Sequence, residues 1–297
     1  MPRSAPKSPA QTAHNERVSA SWLLKAIGAV LVVAMGCTYF TLCFLYYQGQ
    51  WQIVLHPGGK ASQATLADLV RFGPDESGKP QLVGQRLAAP AGGRYSGLTV
   101  LILSSGDGSA ADSATTIASL HDLGINVFSF DYRGYGLSNV SHPNQQRMTE
   151  DAEEAWRYLT STGGVPAAQV VPYGIGVGAS LATHLAEQHA EIPALILDSP
   201  YTDLLATARR NSPSFLPVGL LFREHFPMRE TLAGLRTPKL LIADTNSQTP
   251  AAFVTAADPK ITVSLKSHTG SQYQETITRF LDQYLQPLPI PALSKTN

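Results

Sequence analysis

Between residues 80 and 285, short apolar runs alternate with longer amphipathic segments. The runs Leu82–Leu87, Leu98–Leu103, Asn126–Asp131, Val170–Tyr173, Ala194–Asp198, Lys239–Asp244 and Ile261–Leu265 read as strands. Several are continuously apolar rather than alternating, the mark of strands covered on both faces. Helical patterns fall between them at Ser113–Leu123, Thr149–Thr160, Ala179–His189, Leu204–Arg210, Pro250–Ala256 and Ser271–Leu285. Thr149, followed by Glu150, Asp151, Glu153 and Glu154, places a capping hydroxyl and negative charge where a helix start has unpaired amides and a positive dipole end. Strands alternating with helices predict an α/β architecture built on a mostly parallel, doubly wound sheet.

The N-terminal pattern is different. Ala26–Tyr47 runs for 22 residues without a charge, long enough as a helix to cross a hydrocarbon core of ~30 Å. Trp22, Tyr46, Tyr47 and Trp51 bracket it as interface aromatics. The run exceeds a signal-peptide core and no small-residue cleavage pattern follows it, so an anchor is expected over a cleaved leader. Four domains follow: a disordered tail over 1–21, a transmembrane anchor over 22–47, a folded domain over 50–285 and a Pro-rich tail over 286–297. Alternate prolines from Pro287 to Pro291 prevent the last helix from continuing.

Charge sharpens this division. The chain has 22 basic and 22 acidic residues, but Arg3, Lys7, Arg17 and Lys25 precede the apolar run against Glu16 alone. That bias favours a cytoplasmic N-terminus and a domain on the far side of the membrane, the periplasm if the source is bacterial. The remainder carries 18 basic against 21 acidic residues, which gives no electrostatic footprint for nucleic acid. Both cysteines, Cys37 and Cys43, lie inside the apolar run, so the domain has no disulfide, thiolate zinc site or cysteine nucleophile. No zinc-like cluster appears, and the glycines of Gly174–Ala179 are wrongly spaced for a dinucleotide loop; no cofactor is expected.

Three strings carry the candidate chemistry: Val127-Phe-Ser-Phe-Asp-Tyr-Arg-Gly-Tyr-Gly-Leu-Ser138, Val171-Pro-Tyr-Gly-Ile-Gly-Val-Gly-Ala179 and Leu195-Ile-Leu-Asp-Ser-Pro-Tyr-Thr-Asp203. In order and spacing they resemble the membrane-anchored α/β-hydrolase-domain proteins related to depalmitoylases and monoacylglycerol lipases, over roughly residues 50–285. The resemblance implies an α/β-hydrolase fold in which the first string is structural and the second is the nucleophile elbow, Gly-x-Ser-x-Gly. Gly174 and Gly178 match its flanks, whereas Gly176 stands where relatives carry the serine. No hydroxyl, thiol or carboxylate is then available at the apex, and glycine also accepts the strained backbone without a Cβ clash.

Other site positions follow from the same resemblance. His268, after the strand Ile261–Leu265, matches the general base, although a surface-loop histidine is an equal reading. The acid position falls near Asn246 or Ser247, so Asp244, Asp198 or Asp203 would have to orient the histidine unless each is a cap or loop carboxylate. The oxyanion loop corresponds to Ser104-Ser-Gly-Asp-Gly108, where amides near Asp107 and at Val177 would bind an anion while the carboxylate opposed it. Ser180 is the alternative nucleophile, with Ser105 a second.

Three functions remain open: a tethered pseudohydrolase that binds an acyl or lipid-like ligand or a protein partner, a hydrolase of acyl esters or thioesters using an unorthodox serine, and a membrane-tethered scaffold. The segment Ser212–Leu235, with Phe215, Leu216, Leu220, Leu221, Phe222 and Phe226, has the apolarity of a lid, though core packing also explains it.

Overall fold

The computed structural model describes residues 19–58, 69–90, 92–201, 203–245, 249–267 and 269–285. Contacts divide the chain between Tyr47 and Gln48 into two units. The first holds all but the last two residues of helix α1 (Ala20–Gly49), in which no residue is buried and no acidic or basic side chain occupies the terminal turns. Its length and composition suffice to cross a membrane.

The second unit is built on one eight-stranded sheet. Its strands are β1 (Leu69–Pro74), β2 (Pro80–Leu87), β3 (Thr99–Leu103), β4 (Asn126–Asp131), β5 (Val170–Ile175), β6 (Leu195–Asp198), β7 (Lys239–Asp244) and β8 (Lys260–Leu265), in the spatial order β1-β2-β4-β3-β5-β6-β7-β8. β2 runs antiparallel to both β1 and β4, and every other pairing is parallel. All residues of β3 and β6 are buried, as a parallel sheet covered on both faces requires. The helices are α2 (Ala114–Asp122), α3 (Gln145–Arg157), α4 (Gly178–Gln188), α5 (Leu204–Arg210), α6 (Val218–Leu221), α7 (Arg229–Gly234), α8 (Ala251–Thr255) and α9 (Ser271–Tyr284). On one face, Val100, Ile102, Val171, Tyr173, Ile196, Leu240 and Ile242 pack against Tyr273, Ile277, Phe280 and Leu281 of α9.

The expected α/β-hydrolase architecture is thus present, with local differences. β1 has no counterpart among the expected strands, because an edge strand over Leu-Val-Arg-Phe-Gly-Pro in which only the adjacent Phe72 and Gly73 are buried carries little periodic signal. Helix α3 begins at Gln145 rather than Thr149: Asn144 is the cap, its side chain accepting from Arg147 N at 2.8 Å. Thr149 lies inside the helix and donates back to Gln145 O at 2.9 Å. Of the acids that suggested a later start, Glu150, Asp151 and Glu153 serve tertiary pairs, and Glu154 pairs with Arg157 along the helix. Ser212–Leu235, read as one segment, contains α6 and α7. The expected tails over 1–18 and 286–297 lie outside the described residues.

The string Asp131–Ser138 earns its glycines and charges structurally. The Asp131 carboxylate accepts from Ala110 N at 2.8 Å and Leu137 N at 2.9 Å, and Gly136, at φ 44°, lies so close that a Cβ would fall 2.0 Å from an Asp131 oxygen. Arg133 donates to Asp151 through Nε at 2.5 Å and through its backbone amide at 2.8 Å, and to Glu150 at 2.7 Å. Burial pushes the Asp151 carboxyl up to about 6, with Arg133 pulling against it. Tyr135 O–H donates to Gly106 O at 2.9 Å, so this turn holds the loop after β3 in place. Arg133→Ala strands the buried Asp151 carboxylate, and we expect it to lower stability by about 3–5 kcal/mol in urea unfolding; a loss below about 1 kcal/mol, the scale of an exposed pair, would assign the string no structural role.

Candidate active site

Strand β5 turns into helix α4 through Gly176 and Val177 at the carboxyl edge of the sheet. The turn is too tight for side chains on either flank. A Cβ on Gly174 would lie 2.3 Å from Gly178 O, and one on Gly178 would lie 2.0 Å from Leu103 O. Gly176 itself has φ 56°, the left-handed region that glycine enters without penalty. Its amide donates to Asp198 O at 3.0 Å, which ties the apex to the end of β6. A Cβ at Gly176 would meet Ser105 Cβ at 3.0 Å and Tyr201 Cε2 at 3.1 Å. The apex therefore faces two side chains, one from the loop after β3 and one from the loop after β6.

The loop Ser104–Gly108 is shaped by left-handed glycines at Gly106 and Gly108. It is stitched to the segment before β1: His56 N donates to Gly106 O at 2.9 Å, and Gly108 N donates to His56 O at 3.0 Å. Between those two bonds the Asp107 carboxylate meets His56 Nδ1 at 2.6 Å through one oxygen and accepts from the Tyr201 hydroxyl through the other. Burial, followed by the bond to Asp107, pushes the Tyr201 phenol well above its ordinary range. Tyr135 is raised too, by burial and then by the charges of Asp107, Tyr201 and Glu224. A phenol beside a carboxylate keeps its proton, because losing it would put two negative charges in contact.

These bonds decide what the loop offers to a ligand. Asp107 N donates to Ser105 Oγ at 3.2 Å and Val177 N to Ser105 O at 3.4 Å. Both amides expected to cradle an anion have partners within the protein, and a carboxylate stands beside them. Among the described residues, no group of three His, Cys, Asp or Glu side chains is disposed to hold a metal ion.

Residues 98–287 match the Hydrolase_4 family model, described as serine aminopeptidase, S33. The chain belongs to the α/β-hydrolase family. An uncharacterized protein of Mycobacterium tuberculosis is 34% identical over 171 residues, covering 56% of this chain and 60% of that one. The α/β-hydrolase domain-containing protein aho-3 of Caenorhabditis elegans is 30% identical, covering 48% and 42% respectively. Lysophosphatidylserine lipase ABHD12 of Gallus gallus is 34% identical, covering 36% and 27%. The chain thus spans 60% or less of the length of these relatives. Among solved structures, an α/β-hydrolase from Vibrio vulnificus superposes with a TM-score of 0.55 at 20% identity, covering 85% of this chain and 94% of that one. The Pyrococcus furiosus esterase Pf2001 gives 0.58 at 17%, covering 77% and 99%. At these identities the structural likeness concerns the fold.

Within the α/β-hydrolase frame, the remaining expected residues fall as follows. Ser180 is buried in the first turn of α4, and its hydroxyl donates to Pro227 O at 2.7 Å, so it is engaged with the backbone before α7. Asp198, 2% exposed, accepts from Tyr173 O–H at 2.7 Å, and Tyr273 O–H donates to that same phenol oxygen at 3.0 Å. Asp203 caps α5, accepting from Ala206 N at 2.7 Å. Asp244 ends β7, in register with Leu265 of β8. His268, Asn246 and Ser247 lie outside the described residues. The structure brings Gly176, Val177, Ser105 and Asp107 together, and separates Ser180 from them by the direction of its hydroxyl.

Sequence reasoning missed His56 and Tyr201. Tyr201 sits inside the quoted string Leu195–Asp203, and an aromatic so close to the end of a site-bearing strand was its one signal. His56 reaches Asp107 across 51 positions through an isolated bridge, which leaves no periodic trace. Replacing Asp107 by Asn removes the charge that holds the Tyr201 proton. We expect the Tyr201 phenol to titrate at lower pH in Asp107→Asn than in the parent, followed by phenolate absorbance with Tyr201→Phe as the subtraction; an unmoved titration would mean that burial alone sets it.

Proposed function

We propose that this chain is a membrane-tethered α/β-hydrolase-fold protein whose elbow has exchanged acyl transfer for ligand binding. The observation that carries the reading is Gly176: an apex in the geometry of a nucleophile elbow with no nucleophilic atom on it. Two neighbouring features support it. The Asp107 carboxylate occupies the loop that would face the oxyanion of a tetrahedral intermediate, where it repels developing negative charge. Tyr201, held on Asp107, closes to 3.1 Å from where a side chain at the apex would begin. A serine there would require Tyr201 and Ser105 each to give by a few tenths of an ångström.

The ligand class proposed is an acyl or lipid-like molecule. The Gallus gallus relative is named a lysophosphatidylserine lipase, and helix α1 would deliver such ligands from a bilayer. The charge bias around that helix favours a cytoplasmic N-terminus with the domain on the opposite side.

A second reading has one observation in its favour. Ser105 Cβ lies 3.0 Å from where a Cβ on Gly176 would stand, so its side chain adjoins the apex. On this reading, Ser105 attacks an ester with His268 or His56 taking its proton. Its Oγ is bonded within its own loop to Asp107 N, which favours the non-catalytic reading.

Two measurements separate these readings. The intact protein should not be labelled by a serine-reactive fluorophosphonate, and labelling that disappears in Ser105→Ala would establish the second reading. Gly176→Ser puts a side chain at φ 56° against two neighbours, and should cost about 1–3 kcal/mol in denaturant unfolding. If Tyr201 is what obstructs the apex, Tyr201→Ala in the same chain should restore part of that loss; no recovery would show that Tyr201 does not fill the site.

A further inference from the structure

The loop and helices after β6 carry a charge pattern unlike the rest of the domain. From Leu204 to Arg223 the chain runs 20 residues with three arginines and no acid, in a domain that is otherwise slightly acidic. Arg209, Arg210 and Arg223 are all exposed and pair with no carboxylate among the described residues. The next acid, Glu224, points inward and accepts from Gln145 N at 2.6 Å. Large apolar side chains stand out among these arginines: Leu220 is 77% exposed and Phe215 58%. Arg209 also lines an open groove of about 350 Å³ with Pro213, Ser214, Leu216 and Val218. It can reach across α6 because position 219 is a glycine: its Nη2 lies 2.8 Å from where a Cβ there would be.

The start of the domain fixes where this surface belongs. The buried side chain of Gln50 accepts from Arg223 N at 2.6 Å, and helix α5 packs on the turn Gln50–Ile53. Gln50 follows Tyr47, the last residue of the apolar run, by three positions. By chain length alone it is held within about 10 Å of that residue. If the run spans a bilayer, the end of α6 is pinned to the first residues that leave it.

We infer that the α5–α6 surface is a second membrane contact, docking on anionic phospholipid. Leu220 and Phe215 enter the headgroup boundary, Arg209 receives a lipid phosphate in its groove, and Arg210 and Arg223 add attraction to the surface. Paired arginine and exposed apolar side chains are what interfacial binding to anionic lipid uses, and arginine suits phosphate through its planar fork of donors. The inference rests on the proposed membrane tether. It adds a function for the segment: a lipid-binding surface on the domain itself.

The test uses the full chain reconstituted in bilayers, with Cys37→Ser and Cys43→Ser leaving no native thiol. A fluorophore is placed at Leu220→Cys, at Phe215→Cys as a second reporter, or at Glu275→Cys on α9 as a reference, and is quenched by lipids brominated in the acyl chain. Labels at 220 and 215 should be quenched at least about twofold more than the label at 275. The difference should be larger in bilayers containing phosphatidylglycerol than in pure phosphatidylcholine, and should shrink in Arg209→Gln. Alkaline carbonate extraction is run alongside. A chain that resists extraction but shows equal quenching at 215, 220 and 275 overturns the docking surface and leaves the tether standing. A chain that is extracted overturns the tether, and the docking inference with it.

Discussion

The constraint on which the site depends is the crossing of α4 over β3 and β5. Gly178 approaches the Leu103 carbonyl, and Gly174 approaches Gly178, at separations that exclude a Cβ on either residue. This contact lets the chain reverse from strand to helix within two residues, and it lifts Gly176 above the carboxyl ends of the parallel strands. Everything at the site is placed relative to that apex. The Gly176 amide takes the end of β6 through Asp198 O, and the Val177 amide takes the loop after β3 through Ser105 O. The string Asp131–Ser138 then steadies that loop from the other side through Tyr135 and Gly106.

Around this turn, the groups at hand differ from those that acyl transfer uses. Catalysis at such a turn needs a nucleophile at the apex and amides aimed at a developing oxyanion. Here the apex has no side chain, the candidate amides are engaged internally, and the strongest local charge is a carboxylate. His56 and Tyr201 satisfy that carboxylate, so the arrangement holds together without a ligand. The turn is thereby surrounded by a polar patch at the edge of the sheet, made by Ser105, Asp107, His56 and Tyr201.

Much of this was legible in the residues, and the exceptions have physical causes. β5, β6 and β7 announce themselves because strands buried on both faces must be continuously apolar. β1 did not, since its edge position leaves Arg71 and Pro74 exposed and only Phe72 and Gly73 buried. The acid-rich stretch Glu150–Glu154 suggested a helix start, yet Glu150, Asp151 and Glu153 answer Arg133 and His189 across the fold, and a shorter-range signal, Asn144, set the boundary. At the site, the glycine pattern 174-176-178 marked the elbow because backbone crowding writes directly into sequence. The His56–Asp107–Tyr201 cluster did not, because it joins three separate loops whose proximity only the sheet order creates.

We propose that the turn centred on Gly176 binds its ligand without forming a covalent intermediate. Intact-protein mass spectrometry of the full chain, quenched at short times after mixing with an activated long-chain p-nitrophenyl ester, tests this most directly. The account predicts an unmodified mass at every time point. An acyl adduct that forms and decays with ester turnover, and that maps to a serine beside Gly176, would contradict it.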